Sequence, residues 1–84
     1  MAHVIVEVEF QSTLGEEELA NMSKRIDECV GARNAEWQRS YFSTDHLRMV
    51  CEFEAPDAES IRESYRTAGV PFVRVWAAER YTRG

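Results

Sequence analysis

Two cysteines, two prolines, two histidines and a single lysine in 84 residues are the scarcities of this chain. Cys29 and Cys51 stand far apart without CxxC spacing, which argues against a disulfide framework or a paired-cysteine metal motif and suits reduced thiols in a reducing compartment. Both read as small packing residues. No HExxH, P-loop, GxGxxG or GxSxG pattern occurs, so any chemistry must come from side chains scattered over several elements. No run of basic residues exists and the net charge is −5, which argues against nucleic acid and anionic membranes as partners. The N-terminal MAHVIVEVEF lacks a basic n-region, and Glu7 interrupts its apolar run, so neither a signal peptide nor a membrane span is expected. A cytoplasmic location follows as the expectation.

Apolar and aromatic residues are well supplied, at 44% and 11% of the chain, enough for a folded core. A single domain of this length buries only about 60 to 65% of its unfolded surface, and such domains often complete their core by dimerising. Nine arginines against one lysine suit structured ion pairs with carboxylates, because the planar guanidinium binds them two-pronged, as well as a merely solvated surface, and genomic base composition produces the same skew.

Residues 3 to 10, HVIVEVEF, alternate apolar and polar in the period-2 pattern of a strand with one covered face. In LGEEELANMSKRIDECVG, Leu19, Met22, Ile26 and Cys29 or Val30 recur at helical spacing, and Glu16, Glu17 and Glu18 favour the positive end of the helix dipole. Gly15, or Thr13 in a capping box with Glu16, starts this helix, and Gly31 suits a left-handed C-terminal position. Residues 35 to 43 and LRMVCEFE alternate on either side of the polar tip TDH, as a β-hairpin does. Asp57 caps a second helix whose Ala58, Ile61, Tyr65 and Ala68 share a face, with Gly69 as terminator. PFVRVWAAER returns to alternation as a fourth strand. The order β-α-β-β-α-β predicts an α+β ferredoxin-like sandwich: an antiparallel sheet of order 4-1-3-2 with both helices on one face.

Strand parity then sorts the side chains. The helix side takes Val4, Val6, Val8, Phe10, Gln38, Ser40, Phe42, Met49, Cys51, Phe53, Val73, Val75 and Ala77. The uncovered face takes His3, Ile5, Glu7, Glu9, Trp37, Arg39, Tyr41, Arg48, Val50, Glu52, Glu54, Phe72, Arg74, Trp76 and Ala78. So many apolar groups on one uncovered face predict an interface or a pocket, and the expected partner is a second copy packing sheet to sheet. Glu7, Glu9, Glu52 and Glu54 crowd the centre of that face, since cross-strand neighbours approach within about 5 Å. Pairing with Arg39, Arg48 or Arg74, a bound cation, protonation or open solvent relieves the repulsion.

The stretch RSYFSTDHLRMVCEFEAPDAESIRESYRTAGVPFVRVW, and within it CEFEAPDAESI followed by AGVPF, resembles a family of small bacterial ferredoxin-like proteins grouped as a domain of unknown function. One branch of that family is described as nickel-binding. The resemblance implies the same fold and a homodimer, a dimeric α+β barrel. The nickel-binding branch carries histidine where this chain has Glu9 and another near Trp76; glutamate ligates a divalent cation, but imidazole suits nickel better and indole does not ligate.

Three functions remain open on these grounds. The first is binding of a small ligand by Glu7, Trp37, Arg39, Tyr41, Glu52 and Trp76, or of a divalent metal such as nickel by His3, Glu7 and Glu9, between the sheets of a homodimer. The second is a cofactor-free enzyme in which Glu7 or Glu52 is the general base and Tyr41 and Arg39 stabilise developing charge. The third is a structural dimerisation module.

Overall fold

The computed structural model describes residues 1–83. In chain order it comprises β1 (Ala2–Glu9), α1 (Glu16–Gly31), β2 (Glu36–Phe42), β3 (Arg48–Ala55), α2 (Ala58–Ala68) and β4 (Arg74–Ala78). The four strands form one sheet in the order β2-β3-β1-β4, with antiparallel pairing throughout. This is the ferredoxin-like topology expected from the sequence.

The alternation of β1 explains the core. Val4, Val6 and Val8 are almost wholly buried, while Ile5 and Glu7 between them are only partly covered. Met49, Cys51 and Phe53 of β3 lie beside them, and Val75 of β4 completes the layer. Met22, Ile26 and Val30 of α1 and Ile61, Tyr65 and Ala68 of α2 close on it from one side. Each large aliphatic or aromatic side chain so buried contributes about 1.5–3 kcal/mol. Polar ties hold the helices in place. Arg25 Nε donates to the Ala68 carbonyl (3.1 Å) and Arg62 donates to the Val75 carbonyl (2.7 Å).

Helix ends follow local chemistry. In α2, Asp57 accepts from the Ser60 N–H and hydroxyl, each at 2.7 Å, and Gly69 ends the helix at φ 73°, a conformation glycine adopts without a Cβ penalty. In α1 the cap is Gly15, whose N–H donates to the Glu18 carboxylate (3.3 Å); Thr13 instead donates to the Asp45 carbonyl (3.5 Å). The expectation for Gly31 is corrected. It lies within the helix, and the left-handed residue is Asn34 (φ 61°), a type whose short polar side chain tolerates that region.

Two further corrections concern the sheet faces. Trp37 pairs with Phe53 and Arg39 with Glu52, so a bulge at Gln38 inserts one residue into β2. A single extra residue inverts the parity of everything before it. Trp37 therefore lies on the helix side and Glu36 opposite Glu54, whereas Arg39 and Tyr41 keep the predicted face. Phe72 precedes β4 and packs edge to face against Tyr65, with ring centroids 6.1 Å apart. It belongs to the core, because strand parity does not extend to a residue outside the strand.

The capped end of α2 carries a pH signature. The Ser60 hydroxyl and N–H hold the Asp57 carboxyl below its ordinary value. A lowered folded-state value means the cap's stabilisation is full above the unfolded carboxylate range and is lost as pH falls through the folded value. Asp57→Asn retains a capping oxygen that does not titrate. Urea denaturation from neutral to acid pH is expected to show a shallower acid loss for Asp57→Asn than for the native chain, and coincident acid limbs would contradict this account.

Candidate ligand site on the open sheet face

β1 occupies the middle of the sheet, so its outward residues meet partners on both sides. His3 is in register with Glu54 and Ala78, Ile5 with Glu52 and Trp76, and Glu7 with Val50 and Arg74. The bulge in β2 sets Arg39 beside Glu52 and Tyr41 beside Val50. Of the predicted site residues, the structure thus brings His3, Glu7, Arg39, Tyr41, Glu52 and Trp76 onto one face. Glu9 is on the same face but at the exposed end of β1, and Trp37 is on the opposite one.

The crowded carboxylates are relieved by pairing. The Trp76 indole N–H donates to Glu7 Oε2 at 2.9 Å, and Arg74 Nε lies 3.7 Å from the same oxygen. Arg39 Nε lies 3.6 Å from Glu52 Oε1, and His3 Nε2 lies 3.3 Å from that oxygen. His3 Nδ1 reaches Glu54 Oε1 at 3.0 Å. Carboxylates only accept, so both His3 contacts are hydrogen bonds together only when the ring donates from both nitrogens.

Around these polar groups lies a hollow of about 330 Å³, lined by His3, Ile5, Arg39, Tyr41, Glu52 and Trp76, with Arg80 and Tyr81 at one side. Tyr41 is 55% exposed and Trp76 44%, so two aromatic surfaces flank a small array of charged donors and acceptors. The arrangement can hold a molecule with an apolar body and polar substituents.

The expected metal set is not drawn together. His3 and Glu7 stand four steps apart along β1, roughly 13 Å, and each turns to different partners. Glu54 and Arg74 are the partners that the expectation left out of the site. Parity had placed both on this face, but only the register shows which carboxylate His3 meets. Among the described residues, no group of three or more His, Cys, Asp or Glu side chains is placed to hold a metal ion.

Fold and face together define a ferredoxin-like α+β domain whose uncovered sheet carries an ion-paired, aromatic-flanked hollow. A family model described as "Nickel responsive protein SCO4226-like" matches residues 5–77, and the chain belongs to this family. The crystal structure of SCO4226 from Streptomyces coelicolor A3(2) superposes with a TM-score of 0.84 over 96% of this chain and 100% of that one, at 14% identity. At that identity the likeness establishes the common fold. A search of curated proteins finds no match to this sequence.

The Glu7 and Arg74 side chains are 32% and 63% exposed, and exposed pairs contribute about 0–1 kcal/mol. Glu7→Gln is therefore expected to change stability by less than about 1 kcal/mol in urea denaturation, while shifting the Trp76 indole N–H resonance. A larger loss would make the Glu7 cluster a structural element instead of a surface available to a ligand.

Proposed function

We propose that this protein is a small binding protein, without catalytic chemistry of its own, that holds a small organic ligand on its open sheet face within a homodimer. The observation that carries this reading is the hollow itself, in which Tyr41 and Trp76 flank His3, Arg39 and Glu52. An apolar body rests against the aromatics, and the charged groups recognise polar substituents. Support for a second copy comes from the partly exposed Ile5, Val50, Tyr41 and Trp76, which share a face that no helix covers, and from the small size of the domain. Packing two such faces together encloses the hollow and strengthens every polar contact in it.

Nickel or another divalent cation is the second reading, favoured by the family's description and by His3 standing between Glu52 and Glu54. Imidazole nitrogen with carboxylate oxygen is a serviceable donor set for such ions. The geometry of one chain does not fit it, however. The two carboxylates approach different ring nitrogens, and Arg39 stands beside Glu52, a cation where the metal's charge would fall. The opposing face of a second copy is the source of further donors in this reading.

The two readings separate on thermal shifts. A ligand at a hundredfold excess over its Kd stabilises by about 2.7 kcal/mol, a rise in Tm of roughly 10 °C or more for a domain of this size. An organic ligand found in a metabolite panel is expected to lose its effect in Arg39→Ala and Trp76→Ala and to keep it in the presence of chelator. Stabilisation by Ni²⁺ that His3→Ala abolishes would favour the cation. Sedimentation is expected to show a native dimer and a monomeric Ile5→Asp chain; a native monomer at all accessible concentrations would sink the shared-face reading.

A further inference from the structure

The other side of the sheet holds a second concavity. Between α1 and the β2 edge lies a cleft of about 180 Å³, with Met22, Ile26 and Asp27 on its helix wall and Ser40, Cys51 and Phe53 on its sheet wall. It exists because two small residues, Ser40 and Cys51, face each other across β2 and β3 where larger side chains would fill the layer. The bulge at Gln38 supplies the remaining wall by turning Trp37 to this side. Trp37 is 49% exposed, and its indole N–H donates to Ser40 Oγ at 2.9 Å, while the Ser40 hydroxyl donates to Cys51 Sγ at 3.0 Å. This relay fixes the indole at the rim.

Tyr65 also lines the cleft. Its side chain is wholly inaccessible to bulk solvent, yet its hydroxyl has no hydrogen-bond partner among the described residues. A buried polar group left unpaired costs about 1–3 kcal/mol, and such groups in folded proteins call for a partner. Burial foremost, then the neighbouring Cys51 sulfur and the Asp27 carboxylate, push the phenol far above its ordinary value. Tyr65 is thus a permanent O–H; the Cys51 sulfur stands near it, a weak acceptor that makes no hydrogen bond of good geometry with it. Cys51 is not a competing nucleophile, since burial raises its thiol and keeps it protonated.

We propose that the cleft is a binding site for a neutral, predominantly apolar molecule of single-ring size, with one hydrogen-bond acceptor that meets the Tyr65 hydroxyl. Each part of that description has its residue. Met22, Ile26 and Phe53 set an apolar interior, and apolar cavities of about 150 Å³ take up benzene. The orphaned hydroxyl specifies an acceptor. Asp27 is the sole charged group lining the cleft, and no arginine or lysine accompanies it, so an anion would lose its hydration without compensation. The site is separate from the open face and stands whether or not that face binds a ligand.

The test uses the full chain, ¹⁵N-labelled, titrated with acetophenone (a ring with a carbonyl acceptor), ethylbenzene (a ring without one) and benzoate (an anion). Acetophenone is expected to produce saturable shifts at the Trp37 indole and at Ser40 and Ile26, with Kd about millimolar or below for a ligand of this size. Tyr65→Phe should weaken acetophenone about five- to tenfold, the worth of one net hydrogen bond, and leave ethylbenzene unchanged. It should keep or raise Tm, because it removes an unpaired hydroxyl and no packing. Ser40→Leu should fill the cleft and block both neutral ligands. Absence of saturable shifts with acetophenone, equal affinity in Tyr65→Phe, benzoate binding as tightly as acetophenone, or shifts confined to His3 and Trp76 would each overturn the assignment.

Discussion

Two helices can cover only one face of a four-stranded sheet, and most of what this molecule presents follows from that. The β1 valines disappear beneath α1 and α2, and the intervening residues, His3, Ile5, Glu7 and Glu9, are left on a face with nothing above it. In a central strand those outward residues cannot spread into solvent as they would on an edge. They have neighbours about 4.8 Å away on both sides, which is why carboxylates, arginines, a histidine and an indole end in a paired array. The aromatic flanks of that array are the uncovered half of the same alternation.

The Gln38 bulge is the second constraint, and it distributes side chains between the faces. One inserted residue leaves Arg39 and Tyr41 with the open-face hollow and turns Trp37 to the helix side, where it walls a cleft that a regular strand would leave without this rim. Bulges concentrate where a protein needs to redirect a side chain. Here the redirected indole is held by Ser40, whose own hydroxyl is engaged with Cys51. The helix-side layer under β2 is therefore polar at its margin and open, and the edge-to-face stack of Phe53, Tyr65 and Phe72 forms its inner end.

Electrostatics distinguish the two concavities. On the open face, Arg39 and Arg74 lie 3.6–3.7 Å from Glu52 and Glu7, and the His3 ring lies 3.0–3.3 Å from Glu54 and Glu52. The helix-side cleft has one carboxylate at its edge and a buried phenol inside. Its selectivity comes from shape and a single hydrogen bond.

Hydrophobic period and turn chemistry carried the fold into the sequence legibly. The valine alternation of β1, the helical spacing of Ile61, Tyr65 and Ala68, and Asp57 and Gly69 at the ends of α2 are local signals, each recorded within a few adjacent residues. From these follow the six elements, their order, and most residues of the open face, including His3, Glu7, Arg39, Tyr41, Glu52 and Trp76. Parity is reliable only inside an unbroken strand, and that is why Trp37 and Phe72 were misplaced: Gln38 carries no local mark of a bulge, and Phe72 precedes β4 by two residues. Register belongs to tertiary structure as well. Sequence alone could say that four glutamates shared a face, but only the pairing of β1 with β3 and β4 decided that Glu7 meets Trp76 and Arg74 while His3 meets Glu52 and Glu54, because those contacts join residues up to 69 positions apart.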